Sequence, residues 1–155
     1  MRIVELSGSD AGVRRMLVDL ALDEQDHYDH PRETEHQLDA RLRPKAHFTG
    51  ENHILAAQGD GDEALGLCWV VLYDPGNGLE AEVAELYVRP EARGRGIATQ
   101  LMRAAMALMR ERLVTFASVW TRDDNPAALA AYRAAGFTPT RQTVLTWLPV
   151  DERRE

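Results

Sequence analysis

The apolar positions in the first part of the chain follow two different periods. After Ser9, a predicted helix N-cap, apolar residues recur at helical spacing, and a weaker helical pattern covers residues 33–42. An alternating segment over residues 2–6 predicts a short strand before them. From His53 the pattern becomes that of strands, at residues 53–58, 64–73 and 81–89, separated by turns rich in Gly, Asp, Asn and Pro. Three strands joined by tight turns predict an antiparallel meander.

The second half of the chain alternates helix and strand. A long helix is predicted after the third of these strands and the loop that follows it. Further strands are predicted at residues 114–121 and 143–148. Asn125 and Pro126 form a strong helix start, and Gly136 suits a left-handed helix end. The predicted order is β-α-α-β-β-β-α-β-α-β. It indicates an α/β fold with a mixed, mostly antiparallel sheet flanked by helices.

Length and composition limit the classes of protein this chain can belong to. Its 155 residues suit a single domain, predicted over residues 1–149 with a C-terminal tail at 150–155. A net charge of -7 argues against a general nucleic-acid binder. Neither a signal-peptide stretch nor an apolar run of about 20 residues is present, so we expect a cytoplasmic protein without a membrane span. The single cysteine, Cys68, is expected to be buried, and the histidine spacing predicts no metal site.

A glycine-bearing loop between the third meander strand and the long helix carries the clearest chemical signal. Such a loop directs free backbone N–H groups into one concavity at the positive end of the helix. Gly94 and Gly96 allow close approach of an anion, and Arg93 and Arg95 add charged donors, which suits a pyrophosphate. A P-loop would need Lys followed by Ser or Thr after the second glycine, and a dinucleotide fingerprint would need glycine where Thr99 stands. A helix start without a ligand is the remaining alternative.

Two motifs resemble those of the GNAT superfamily of N-acetyltransferases. Residues 85–90, followed by Arg93-x-x-Gly96-x-Ala98, are similar to its pattern Arg/Gln-x-x-Gly-x-Gly/Ala, and residues 125–137 are similar to its second motif, Asn-x-x-Ala-x-x-x-Tyr-x-x-x-Gly-Phe. The resemblance implies a GNAT-like sheet whose splayed central strands form a cleft for acetyl-CoA (coenzyme A), the co-substrate. It implies transfer of acetyl to a primary amine of a small molecule or peptide by direct attack in a ternary complex. The alternative is a non-catalytic acyl-CoA-binding module.

The resemblance also assigns expected roles to individual residues. Tyr132 corresponds to the general acid that protonates the departing thiolate, or is simply a core aromatic; Glu85 is the first candidate for the base, or is a solvated strand carboxylate. Asn125 is a cofactor neighbour, a helix N-cap, or both. The cofactor-binding residues that the resemblance implies are Leu86, Tyr87, Val88, Arg93, Gly94, Arg95, Gly96, Ile97, Ala98, Thr99, Asn125 and Tyr132.

The acceptor end carries weaker signals. A run of acids between the first two helices predicts attraction of a cationic amine, although an ordinary solvated surface explains it equally; these acids are Asp23, Glu24, Asp26, Asp29, Glu33 and Glu35. His27, Tyr28 and His30 are candidates for lining the acceptor pocket or for an alternative base. Three tryptophans in predicted strands, Trp69, Trp120 and Trp147, are expected in the core or at an interface. Dimers are common among the proteins that this chain resembles, so a homodimer is a further expectation.

Overall fold

The computed structural model describes residues 2, 4–26, 32–60 and 63–145. Four helices, four strands and one short 3-10 turn are defined within these ranges. In chain order they are α1 (Ala11–Gln25), α2 (Glu35–Arg41), β1 (Glu51–Gln58), β2 (Ala64–Tyr73), β3 (Glu80–Val88), the turn Pro90–Ala92, α3 (Ile97–Glu111), β4 (Phe116–Val119) and α4 (Pro126–Ala134).

The four strands form one mixed sheet in the order β1-β2-β3-β4. β2 is antiparallel to both β1 and β3, as the predicted meander requires. β4 is parallel to β3. The β3–β4 pairing covers only Glu80–Val83 against Phe116–Val119, and β3 then continues to Val88 without pairing to β4. The predicted fold class, with a cleft between separating central strands, is confirmed.

The core lies between one face of this sheet and α3. Apolar residues recur along α3 every three or four positions, so they form one buried stripe. This stripe packs on alternate residues of β2 and β3, which point to the same face of the sheet. The buried residues of this cluster are Cys68, Val70, Leu72, Ala81, Val83, Ala92, Ile97, Leu101, Met102, Ala105, Met109 and Tyr132.

The helical hairpin α1–α2 has its own small buried contact. Val18 of α1 and Leu38 of α2 are 3% and 1% exposed. Nearby, the Arg14 guanidinium donates to both oxygens of Asp39 at 2.7 and 2.8 Å. The end of α2 is tied to the β2–β3 turn, where Arg41 donates to the Asn77 carbonyl at 2.8 Å. The hairpin is therefore fixed to the sheet at that turn.

Several predicted element boundaries are wrong. Helix α1 is capped by the Asp10 carboxylate, which accepts from two backbone amides, while the Ser9 hydroxyl bonds to Ser7 instead. Residues 2 and 4–6 form no strand, since Val4 and Leu6 are exposed and have no neighbouring strand to pair with.

The last two predicted strands also differ from the structure. The strand predicted at 114–121 is shorter, because the Val114 amide completes the end of α3 by donating to the Met109 carbonyl. Residues 143–145 have no regular structure, and the rest of the strand predicted there lies outside the described residues.

The exposure of the tryptophans departs from expectation. Trp69 and Trp120 are 37% and 63% exposed, so the prediction of a core position is wrong for both. Trp147 lies outside the described residues. An exposed indole presents a large apolar surface to solvent.

Cys68 is fully buried in β2, and burial raises the pKa of its thiol to about 11. Since the thiolate is the reactive form, we expect no labelling of the native chain by a thiol reagent such as DTNB and one label per chain after unfolding. Absorbance of the released thionitrobenzoate measures both states. Rapid labelling of the native chain would contradict the buried position.

Candidate functional site

A cavity of about 430 Å³ opens where β3 leaves β4. Its walls come from the end of β3 and the adjoining loop into α3, and from a third segment much later in the chain, the first turns of α4. The residues that line it are Leu86, Tyr87, Val88, Ala92, Arg93, Gly94, Gly96, Ile97, Ala98, Asn125, Ala127, Ala128 and Ala131. The two sequence motifs therefore meet at a single cavity.

The loop into α3 has the geometry of an anion cradle. Gly94 and Gly96 adopt φ of 73° and 75°, in the left-handed region that favours glycine. A Cβ added at either glycine would have no atom within 4 Å, so both face open space. The loop thus leaves room against its backbone for a ligand.

Helix α3 differs from the other three described helices at its N-terminus. Asp10, Thr34 and Asn125 cap α1, α2 and α4 through their side chains, whereas Gly96 at the start of α3 has no side chain to do so. The first N–H groups of a helix have no intrahelical partner. At α3 these groups are left for an acceptor outside the helix, at the end where the helix dipole is positive.

The two loop arginines have different surroundings. Arg93 Nε donates to the Val88 carbonyl at 3.0 Å and so ties the loop to the end of β3. Arg95 is exposed and forms no hydrogen bond or ion pair with any of the described residues. Arg93 therefore shapes the cavity, and Arg95 is the arginine of the loop whose guanidinium remains available.

Asn125 lies at the start of α4, the helix that forms the third wall of the cavity. Its side-chain oxygen accepts from the Ala128 amide at 3.2 Å, which caps α4, and the residue also lines the cavity. Pro126 follows at the first helical position, as the sequence predicts. The alanines of α4 that line the cavity were not predicted as site residues; their small size keeps the helix from filling the space.

Tyr132 lies on α4 and is 8% exposed. Its ring meets that of Phe137 edge to face, with centroids 6.3 Å apart. Burial raises the pKa of the Tyr132 phenol, and the nearby Cys68 thiol and Glu85 carboxylate act in the same direction. Tyr132 belongs to the same buried cluster as Cys68. At neutral pH it is a protonated donor.

A β-bulge in β3 decides where Glu85 points. Trp69 pairs with Glu85 and Val70 with Val83, so Ala84 is the extra residue without a partner on β2. Before the bulge, Val83 faces the core; after it, Leu86 does, and Glu85 is exposed on the opposite face. The adjacent apolar pair Val83-Ala84 is the sequence signal for this shift, but the bulge was not predicted from the alternating strand pattern.

The predicted site residues do not all lie in one place. Arg95, Thr99, Tyr132 and Glu85 are absent from the lining of the 430 Å³ cavity. Tyr132 lines a second cavity, of about 960 Å³, that extends along β4. Glu85 lies on the outward face of the sheet. His27, Tyr28 and His30 lie outside the described residues.

The acidic rim, which is the run of acids predicted between the first two helices, is largely paired with arginines. Asp26 bonds to Arg32 at 2.9 Å and Glu33 to Arg41 at 2.7 Å, and Glu35 pairs with Arg15. Each pair neutralises a carboxylate that was expected to attract a cation. These three acids therefore behave as the solvated, paired surface that was the alternative explanation.

Comparison with known proteins identifies the family. The sequence profile of the acetyltransferase (GNAT) family matches residues 15–137, which include both motifs. The chain belongs to the GNAT family of acyltransferases. The GNAT family uses acetyl-CoA.

Curated relatives in this family include mycothiol acetyltransferases. The enzyme of Mycobacterium ulcerans (strain Agy99) is 36% identical over 103 residues, covering 66% of this chain and 30% of the relative. That of Sanguibacter keddieii is 31% identical over 118 residues, covering 74% of this chain and 37% of the relative. The chain thus spans about a third of the length of these relatives.

Solved structures share the GNAT fold over nearly the whole chain. An aminoglycoside acetyltransferase from an uncultured soil metagenomic sample, in complex with sisomicin, has a TM-score of 0.56 at 16% identity, covering 94% of this chain and 93% of that one. AAC(6')-Iy in complex with the bisubstrate analogue CoA-S-monomethyl-acetylneamine has a TM-score of 0.52 at 20% identity, covering 86% and 90%. Among the described residues of this chain, no helix meets the length and apolarity needed to cross a bilayer.

Replacement of Gly96 by alanine tests the anion cradle. A Cβ at φ 75° strains the backbone by roughly 1–2 kcal/mol and narrows the space against the loop. Gly136→Ala is the matched control, since Gly136 has φ 99° and equally open surroundings but does not line the 430 Å³ cavity. We expect both variants to lower the melting temperature and only Gly96→Ala to weaken acetyl-CoA binding, measured by calorimetry. Equal affinity in the two variants would contradict the cradle.

Proposed function

We propose that this chain is an acetyl-CoA-dependent N-acetyltransferase. It transfers the acetyl group to a primary amine of a small molecule or peptide by direct attack in a ternary complex. The observation that carries the proposal is the single cavity in which the free end of β3 meets the uncapped N-terminus of α3. The names of the mycothiol and aminoglycoside acetyltransferases support a small amine as acceptor.

The cavity suits acetyl-CoA at both ends of the molecule. The amides at the start of α3 and the open space beside Gly94 and Gly96 fit the pyrophosphate, and Arg95 is the available cation beside them. The pantetheine arm carries two amide groups. It fits the side of β3 at Leu86–Val88 that has no strand partner among the described residues, in the manner of an added strand.

The acceptor amine arrives as an ammonium ion, so its nitrogen loses two protons while the sulfur gains one. Glu85 takes the first proton before the attack, directly or through water. The neutral nitrogen then bonds to the acetyl carbon and releases its second proton to solvent as the carbon–sulfur bond breaks. The Tyr132 phenol protonates the departing thiolate and regains its proton from solvent. The Val88 amide is placed to polarise the thioester carbonyl as negative charge develops on its oxygen. The products are the N-acetylated amine and CoA.

The position of Tyr132 supports its role as the acid. It lies in the buried cluster that also contains Cys68, and Cys68 is the β2 partner of Leu86. The pKa of this phenol is raised above 10, so it holds its proton throughout the neutral range. Ionisation of Tyr132 should accordingly limit the rate only above pH 10.

Tyr132→Phe tests the acid. The phenylalanine keeps the ring packed against Phe137 but removes the donor, so we expect kcat to fall about a hundredfold with little change in acetyl-CoA affinity. Tyr73→Phe is the control, because Tyr73 is also a partly buried tyrosine with a raised pKa but lies at the far end of β2. Steady-state rates of CoA release measure the effect. Equal rates in the two variants would remove Tyr132 from the mechanism.

Two measurements test the function as a whole. Acetyl-CoA at about a hundred times its dissociation constant should stabilise the fold by about 2.7 kcal/mol, which a thermal melt detects. An amine panel should then show acetyl-CoA-dependent thiol release with at least one acceptor. Stabilisation without release from any amine would favour the non-catalytic acyl-CoA-binding module. Absence of both would refute the cofactor assignment.

A further inference from the structure

Three residues form a row across the outward face of the sheet. Ile54 of β1, Trp69 of β2 and Glu85 of β3 are successive cross-strand partners. The flanking residues Cys68 and Val70 are fully buried on the core side, whereas Trp69 is 37% and Ile54 is 57% exposed. Directly opposed residues on one face have Cβ atoms about 5 Å apart. The row therefore places an exposed indole in immediate reach of a carboxylate.

The bulge at Ala84 completes this row. Without the extra residue, the alternation that buries Ala81 and Val83 would also turn Glu85 toward the core. With it, Glu85 faces outward beside Trp69, one residue before the segment Leu86–Val88 that lines the cavity. The row therefore adjoins the cofactor cleft from the outward side of the sheet.

Trp69 is held in a fixed orientation. Its indole N–H donates to the Asn52 side-chain oxygen at 2.8 Å. Because this is the only polar group of an indole, Trp69 has no further donor to offer a ligand. It can contribute only the flat face of its ring. A fixed, exposed ring loses little conformational freedom when another flat group stacks on it.

The outward face of the strands favours a positive charge. Its outward positions on β3 include Glu80, Glu82 and Glu85, and the outward positions of β1 and β2 within the described strands hold no Lys, Arg or His. Glu80 lies opposite Tyr73, its partner on β2. Glu82 and Glu85 form no ion pair with the described residues. These two carboxylates, unlike those of the α1–α2 rim, remain available to a cation.

We propose that this row is the acceptor platform, and that the acceptor is a primary amine joined through a short linker to a flat ring. The ring stacks on Trp69, and the ammonium group meets Glu85, which then takes its proton. The proposal rests on the proposed function and specifies the substrate class of that site. The directly opposed positions of Trp69 and Glu85 favour a short linker between ring and nitrogen. Either an aromatic ring or the C–H face of a sugar ring supplies the required surface.

The selectivity between ring-bearing and linear amines tests the platform. The probes are phenethylamine for an aromatic ring, D-glucosamine for a sugar ring and n-hexylamine for a chain without a ring. We expect the unaltered chain to favour one of the two ring amines over n-hexylamine in kcat/KM. Trp69→Leu should reduce that preference roughly five- to tenfold, the effect of losing one stacking contact. Trp69→Phe should restore most of it, and the KM for acetyl-CoA should stay unchanged.

The control is Tyr73→Phe, since Tyr73 lies on the same face of β2 as Trp69 but at the far end of the strand, away from Glu85. It should leave the ring preference intact. The proposal is overturned if n-hexylamine is preferred by the unaltered chain. It is also overturned if Trp69→Leu lowers activity on all three amines equally, or leaves the preference unaltered.

A binding measurement separates failure of this proposal from failure of the proposed function. Phenethylamine and D-glucosamine are titrated against the chain in the presence of CoA, with tryptophan fluorescence as the readout, so that no turnover is needed. Quenching that survives Trp120→Phe and disappears in Trp69→Phe supports the platform even where no amine is acetylated. Absence of quenching by both amines, or quenching that persists in Trp69→Phe, refutes it.

Discussion

One residue of β3 without a partner on β2, Ala84, fixes the direction of the residues that follow it. A regular β3 would direct Glu85 into the apolar core, where an unpaired carboxylate costs several kcal/mol. The bulge turns this carboxylate to solvent instead. The pairing of β3 with β4 ends at Val83, just before the bulge, and Leu86–Val88 just after it line the cavity. The cavity and the candidate base therefore adjoin the same point of the strand.

In helix α3, the residues that stabilise the fold differ from the groups that are free to bind a ligand. A side-chain N-cap typically contributes about 1 kcal/mol, and α1, α2 and α4 all have one. Helix α3 lacks this contribution, because Gly96 has no side chain to bond its first amides. It is stable without a side-chain cap since its apolar stripe, from Ile97 to Met109, is buried against three strands. The core holds the helix in place, and its N-terminus remains available as an anion site.

The parts of the site that sequence alone predicted are those encoded locally. A glycine with positive φ, an Asn-Pro helix start and the stripe of α3 each depend on residues close together in the chain, and all were found. The partners of the rim acids Glu33 and Glu35, and the row that joins Trp69 to Glu85, depend on pairings between separate elements. Strand register decides these pairings, and an alternating pattern does not specify a register when a bulge shifts it by one residue.

The bulge also sets the relation between the two groups proposed to move protons. Tyr132 belongs to the buried cluster on the core side of β3, and Glu85 lies on the outward side, so the reacting bond would form between them. The negative charge of Glu85 is one of the causes that raise the pKa of the Tyr132 phenol. Burial is the main cause of the raised pKa, and in the proposed mechanism a proton taken up by Glu85 would remove the smaller contribution of its charge. The first proton transfer would then favour the second, because the base and the acid interact electrostatically across the strand.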